Sequence, residues 1–163
     1  MAIRTAVNRA LTAITALPTA AALVNGNLTL LTTATASSSA TLDFTSSIDS
    51  TYDSYVFKFY NIHPATDLAE FQVGFRDGST AYDATKTTTF FYADHREDDA
   101  GSSLVYDTGR DLAQGTGVAK ISRQVRNHND SGLNGEFNLF SPSSTTFVKH
   151  FIAKNNHVLE SDS

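Results

Sequence analysis

The chain of 163 residues contains no cysteine. That absence excludes disulfides and thiolate metal ligands, and it suits a protein that matures in a reducing cytosol. Long apolar runs are also missing. The uncharged stretch over residues 10–42 is rich in hydroxyls and interrupted by Pro18 and Gly26, so no segment is suited to spanning a membrane. A cleaved secretory signal is poorly written, because the basic residues 1–9 lead into an apolar core that is short and broken by Thr12 and Thr15. Positive charge is scarce. A formal net charge of -5 repels a phosphate backbone, so binding of nucleic acid by the surface at large is not expected.

Acidic residues are absent before Asp43, where only Arg4 and Arg9 carry charge among Ala, Thr, Leu and Ser. This compositional shift divides the chain into an arm, residues 1–36, and a domain, residues 37–163. Signatures of catalysis are missing from both. No serine lies in a Gly-x-Ser-x-Gly elbow, and Gly115-Thr116-Gly117 reads as a turn because no Lys-Ser or Lys-Thr follows to hold a phosphate. Glu70, Glu97 and Glu136 offer carboxylates for a glycosidase pair, but any chain with 17 acidic residues does so. His63, His95, His128, His150 and His157 are too scattered for a local zinc set. The charged stretch with Asp94, Glu97, Asp98 and Asp99 lacks EF-hand spacing and reads as a solvated loop. No catalytic, cofactor-binding or metal-ligating residue is therefore assigned, and no cofactor is expected.

What the sequence does carry is core-forming bulk after residue 40, with 11 Phe and 6 Tyr. In residues 55–63, Tyr55, Phe57 and Phe59 fall on one face of an extended strand and Val56, Lys58, Tyr60 and Ile62 on the other, the pattern of an inner strand. Residues 70–75 alternate Phe71, Val73 and Phe75 against Glu70, Gln72 and Gly74, and they are expected to pair antiparallel with that strand. Further strands are expected over residues 27–35, 40–45, 85–93, 103–106, 118–125, 135–140 and 145–152, with 85–93 in a sheet interior. Short strands at regular spacing with turn residues between them predict an all-β fold, an antiparallel β-sandwich of jelly-roll type, with a β-barrel as the alternative. Ahead of it, Ile3, Val7, Ile14 and Leu17 share one helical seam that Pro18 ends, so the arm is expected to be a short helix or an extended segment. It is too short to be stable alone, so its seam either packs on its own domain or frays, or serves as an oligomer contact or an anchor on another protein.

Several blocks are familiar as an ordered set: residues 40–52 (ATLDFTSSIDSTY), 55–67 (YVFKFYNIHPATD), 85–89 (TKTTT), 111–114 (DLAQ) and 141–152 (SPSSTTFVKHFI). Together they resemble a family of virion structural proteins of tailed phages, abundant in marine and cyanobacterial viruses and described as tail-fibre or appendage proteins. The resemblance runs from about residue 28 to about residue 155. It implies a non-enzymatic β-rich building block of the particle surface, assembled in the host cytoplasm and located in the virion. It brings no known site residues. Members continue past the His150 region into further strands, whereas this chain ends at Ser163, so closing strands are expected from a neighbouring subunit or from further chain. Expected partners are copies of the chain itself, a trimer being favoured, and other virion proteins.

A second class of function is a lectin-like module that recognises a host surface glycan. Tyr52, Tyr82 and Tyr106 lie near loops, each followed directly by an aspartate, and sugar rings stack on aromatic rings edged by polar side chains; the alternative is that each Tyr covers the sandwich end and each Asp starts a turn. The third class, a polysaccharide hydrolase, has no motif behind it.

Overall fold

The computed structural model describes residues 28–96 and 98–158. The chain separates into two compact units, Met1–Thr35 and Ala36–Ser163. In the first, residues 28–35 form no strand and expose Leu28, Leu30 and Leu31. The expected seam of Ile3, Val7, Ile14 and Leu17 lies outside the described residues.

Nine strands follow in the second unit: β1 (Ser54–Ile62), β2 (Ala69–Val73), β3 (Lys86–Thr88), β4 (Phe91–His95), β5 (Ser102–Tyr106), β6 (Leu112–Gly115), β7 (Ala119–Val125), β8 (Leu133–Phe140) and β9 (His150–His157). Every pairing is antiparallel, and the described residues contain no helix. The largest sheet has the order β1-β8-β9, and three two-stranded sheets pair β2 with β7, β3 with β6, and β4 with β5.

The core follows from alternation along β1 and β8. Tyr55, Phe57 and Phe59 share a face with their cross-strand partners Leu139, Phe137 and Gly135, and β9 adds Phe151, Ala153 and Asn155 in the same rows. Phe137 is buried among the rings of Phe57, Phe75 and Phe151, with centroids 5.7, 5.9 and 5.2 Å away. Strand β7 supplies buried Ala119, Ile121 and Val125, and the Asn155 amide donates to the Ile121 carbonyl. Its register against β2 is interrupted between Glu70 and Gln72. There the buried Ser122 hydroxyl accepts the Phe71 N–H at 2.8 Å, replacing the ladder bond that the irregularity removes.

Several sequence expectations require correction. Strand β1 is an edge strand, because it pairs with β8 alone, and β8 takes the central place; the outward side chains Lys58 and Tyr60 of β1 are exposed. Strand β2 pairs with β7 and meets β1 through side chains, the Phe59 and Phe71 rings standing edge to face at 4.9 Å. Residues 85–93 do not form one interior strand. They divide into β3 and β4, and β4 forms an exposed hairpin with β5. Residues 40–45 form no strand, since no neighbour offers them a ladder among the described residues, although Phe44 still packs edge to face on Phe57 at 5.4 Å. The last strand begins at His150 rather than 145, because the Ser144 hydroxyl accepts the Phe147 N–H at 2.9 Å and holds a turn. It runs on through Asn155, Asn156 and His157, which pair with Gly135, Asn134 and Leu133.

The inward row of β9 ends in a titratable group. Burial, helped by the nearby Arg123 charge, holds the His157 imidazole below its ordinary pKa of 6.5. The unfolded chain therefore takes up that proton first as pH falls. Stability from this group is complete above pH 6.5, is lost as the pH drops from there towards the lower folded-state value, and then levels off. Urea midpoints at about pH 7.5 and about pH 5.5 should separate further for the wild type than for His157→Gln. Equal separations would exclude His157 as the source.

Candidate functional site

Two surfaces of the second unit stand out. The first is one face of the β4–β5 hairpin. In an antiparallel pair, directly opposed residues point to the same side, so Phe91 with Tyr106 and Ala93 with Leu104 form a single patch. Phe91 is 69% exposed, Leu104 77% and Tyr106 53%. The opposite face is held down by Tyr92, whose ring lies 4.0 Å from the Arg123 guanidinium. At the tip, Asp98 accepts from Arg96 at 2.8 and 3.1 Å and from the Ala100 N–H at 3.0 Å, so this carboxylate closes the loop. Among the described residues, no group of three or more His, Cys, Asp or Glu side chains is placed to hold a metal ion. No helix among them is long and apolar enough to cross a membrane.

The second surface is the outward face of the β1-β8-β9 sheet. Lys58 lies opposite Glu136 and Glu136 opposite Lys154, so a carboxylate is flanked by two ammonium groups on adjacent strands. The next row sets Asn134 opposite Asn156. An irregularity in β1 between Phe59 and Ile62 places Asn61 at a φ of 50°, in the left-handed region that asparagine tolerates. The freed Asn61 N–H donates to the Asn134 Oδ1 at 2.9 Å. That bond fixes the orientation of the Asn134 amide and leaves its NH2 facing away from the backbone it anchors. Tyr60, just before the irregularity, is 71% exposed. Lys58, Tyr60, Asn134, Glu136, Lys154 and Asn156 together line a shallow depression of about 400 Å³.

The loop tyrosines read as glycan contacts occupy three separate settings. Tyr52 stands edge to face on Tyr55 at 5.9 Å and is partly exposed. Tyr82 lies beneath Arg76, whose guanidinium is 4.4 Å from the ring centre, and packs on Gly74 with its hydroxyl buried. Tyr106 is exposed on the hairpin and donates to Asp111 at 2.5 Å, and this bond, together with burial, raises its pKa. Sequence reasoning passed over Tyr60 because it sits inside the strongest strand signal, where an aromatic residue reads as core. Its neighbours Asn134, Glu136, Lys154 and Asn156 come from two distant strands and carry no local motif.

A third cluster is structural. Glu70 accepts from Arg110 and Lys120, each at 2.9 Å, and Arg110 also pairs with Asp107. Burial pushes the Asp107 carboxyl up, but Arg110 and the Gly109 N–H outweigh it and leave the pKa lowered. Compared with models of protein families, with curated proteins and with solved structures, the chain matches none.

Proposed function

We propose that this chain is a non-enzymatic structural subunit of a tailed-phage virion. It builds a tail fibre or a capsid-decorating appendage as a two-layered, jelly-roll-like β-sandwich that associates with copies of itself and with other virion proteins. Layering is supported by the facing rings of Phe59 and Phe71 and by the Asn155 bond to Ile121. The assembly role rests on the hairpin face, where Phe91, Leu104 and Tyr106 stand in solvent side by side. A contiguous apolar patch of this kind is a feature of surfaces that bury against a partner. Its mechanism is association rather than turnover, each large aliphatic side chain contributing roughly 1.5–3 kcal/mol when fully covered.

Sedimentation velocity tests the proposal. The full chain is expected to form a homo-oligomer, with a trimer favoured. Replacing Phe91 by Ser together with Leu104 by Lys should weaken association by on the order of tenfold to a hundredfold. Removing residues 1–24 should leave a species that neither oligomerises nor enters particles. Oligomers and particle incorporation unchanged in both variants would overturn the proposal.

A further inference from the structure

The outward face of the β1-β8-β9 sheet combines an exposed aromatic ring, Tyr60, with charged side chains that form no ion pair with one another, Glu136 accepting only a long bond of 3.5 Å from the Asn138 amide. The chain has five lysines. Lys86 donates to the Gly117 carbonyl at 2.6 Å, Lys120 pairs with Glu70 at 2.9 Å, and Lys149 donates to the Ser144 carbonyl at 2.5 Å. The remaining two, Lys58 and Lys154, flank Glu136 in the central row of the depression, yet neither forms an ion pair with it. Strand spacing sets their backbones roughly 10 Å apart, with the Asn134 and Asn156 row roughly 7 Å further along the strands. Tyr60 stands beside that row with its ring in solvent.

We infer that this depression is a binding site for an acidic saccharide, a sugar chain bearing a carboxylate. The apolar face of one ring stacks on Tyr60. The amides of Asn134 and Asn156 and the Glu136 carboxylate exchange hydrogen bonds with ring hydroxyls, each group retaining capacity for them. Lys58 and Lys154 supply two positive charges against the single negative charge of Glu136, so the local balance favours a carboxylate although the chain as a whole carries -5. The depression is shallow and open, so a saccharide would lie across it with one face on the strands and the other in solvent. Residues of three paired strands contribute to the site, so their backbone positions are set by the sheet. It differs from the loop tyrosines and does not depend on the assembly proposal.

The test is binding of the full chain to an array of uronic-acid- and sialic-acid-terminated saccharides beside their neutral counterparts, with hits titrated by calorimetry. At least one acidic saccharide is expected to bind saturably and on the order of tenfold more tightly than its neutral counterpart. Tyr60→Ala should weaken it about tenfold, consistent with loss of one stacking platform. Lys58→Gln combined with Lys154→Gln should erase the preference for the acid while leaving the thermal midpoint unchanged, since both side chains are exposed. Absence of binding to every acidic saccharide, equal binding of neutral counterparts, or binding insensitive to both variants would each overturn the inference.

Discussion

Replacing Phe137 by Ala is expected to lower the free energy of unfolding by about 3–5 kcal/mol, the range for truncating a buried aromatic residue. Phe137 is 2% exposed on the central strand, and its ring touches those of Phe57, Phe75 and Phe151. These neighbours come from β1, from the segment after β2 and from β9, so one deletion loosens three parts of the chain together. Their own side chains are partly exposed, so the cost depends on how far they can move in to close the gap. Because a domain of this size has a stability of roughly 5–15 kcal/mol, the variant should retain little folded population on mild heating. Urea unfolding followed by far-ultraviolet dichroism measures the loss. A decrease below about 1 kcal/mol would mean that the ring cluster is not the keystone described.

The second large effect is expected at Gly135, which sits between Phe59 and Asn155 on the inward face of the same sheet. A methyl group there would lie 2.7 Å from the Asn155 Cβ and 2.8 Å from its Cα, and would press on the Lys154 carbonyl oxygen. The obstruction is mostly backbone, which has no rotamer to yield. Gly135→Ala should therefore push β9 away from β8 and break the Asn155 bond to Ile121, at a cost of about 3 kcal/mol or more. Exchange of the β9 amides with deuterium, measured by mass spectrometry, should accelerate selectively. Protection equal to the wild type would show that β9 does not depend on the missing side chain. In an unstrained exposed strand the same substitution would instead stabilise, which makes the sign diagnostic.

The sequence made the inward face of β1 legible, because Tyr55, Phe57 and Phe59 recur at a period of two and nothing else satisfies three aromatic rings in a row. It did not reveal the partner of that strand. Residues 70–75 carry the same alternation, and an aromatic face is served equally well by pairing edge to edge or by facing across a layer. The choice was made by Phe59 and Phe71 meeting ring to ring, while the backbone of β2 went to β7. Residues 85–93 misled for a related reason. Their dense Thr and Phe content signals extended backbone, but extension alone does not say that both faces are covered, and Phe91 is 69% exposed. The sheet-face site was illegible for lack of register. Lys58, Glu136 and Lys154 become neighbours only once β1, β8 and β9 are aligned residue by residue, and no local spacing encodes that alignment.

Because β9 follows the other eight described strands in chain order, the order of synthesis imposes its own constraint. While the ribosome is still adding residues 150–157, Phe137 lacks its Phe151 neighbour and one side of β8 has no ladder. A nascent chain at that stage exposes a greasy slot beside an open strand edge, the combination most prone to pairing with the wrong molecule. Until residues 150–157 have joined β8, each newly made copy keeps that slot and that edge open to its neighbours.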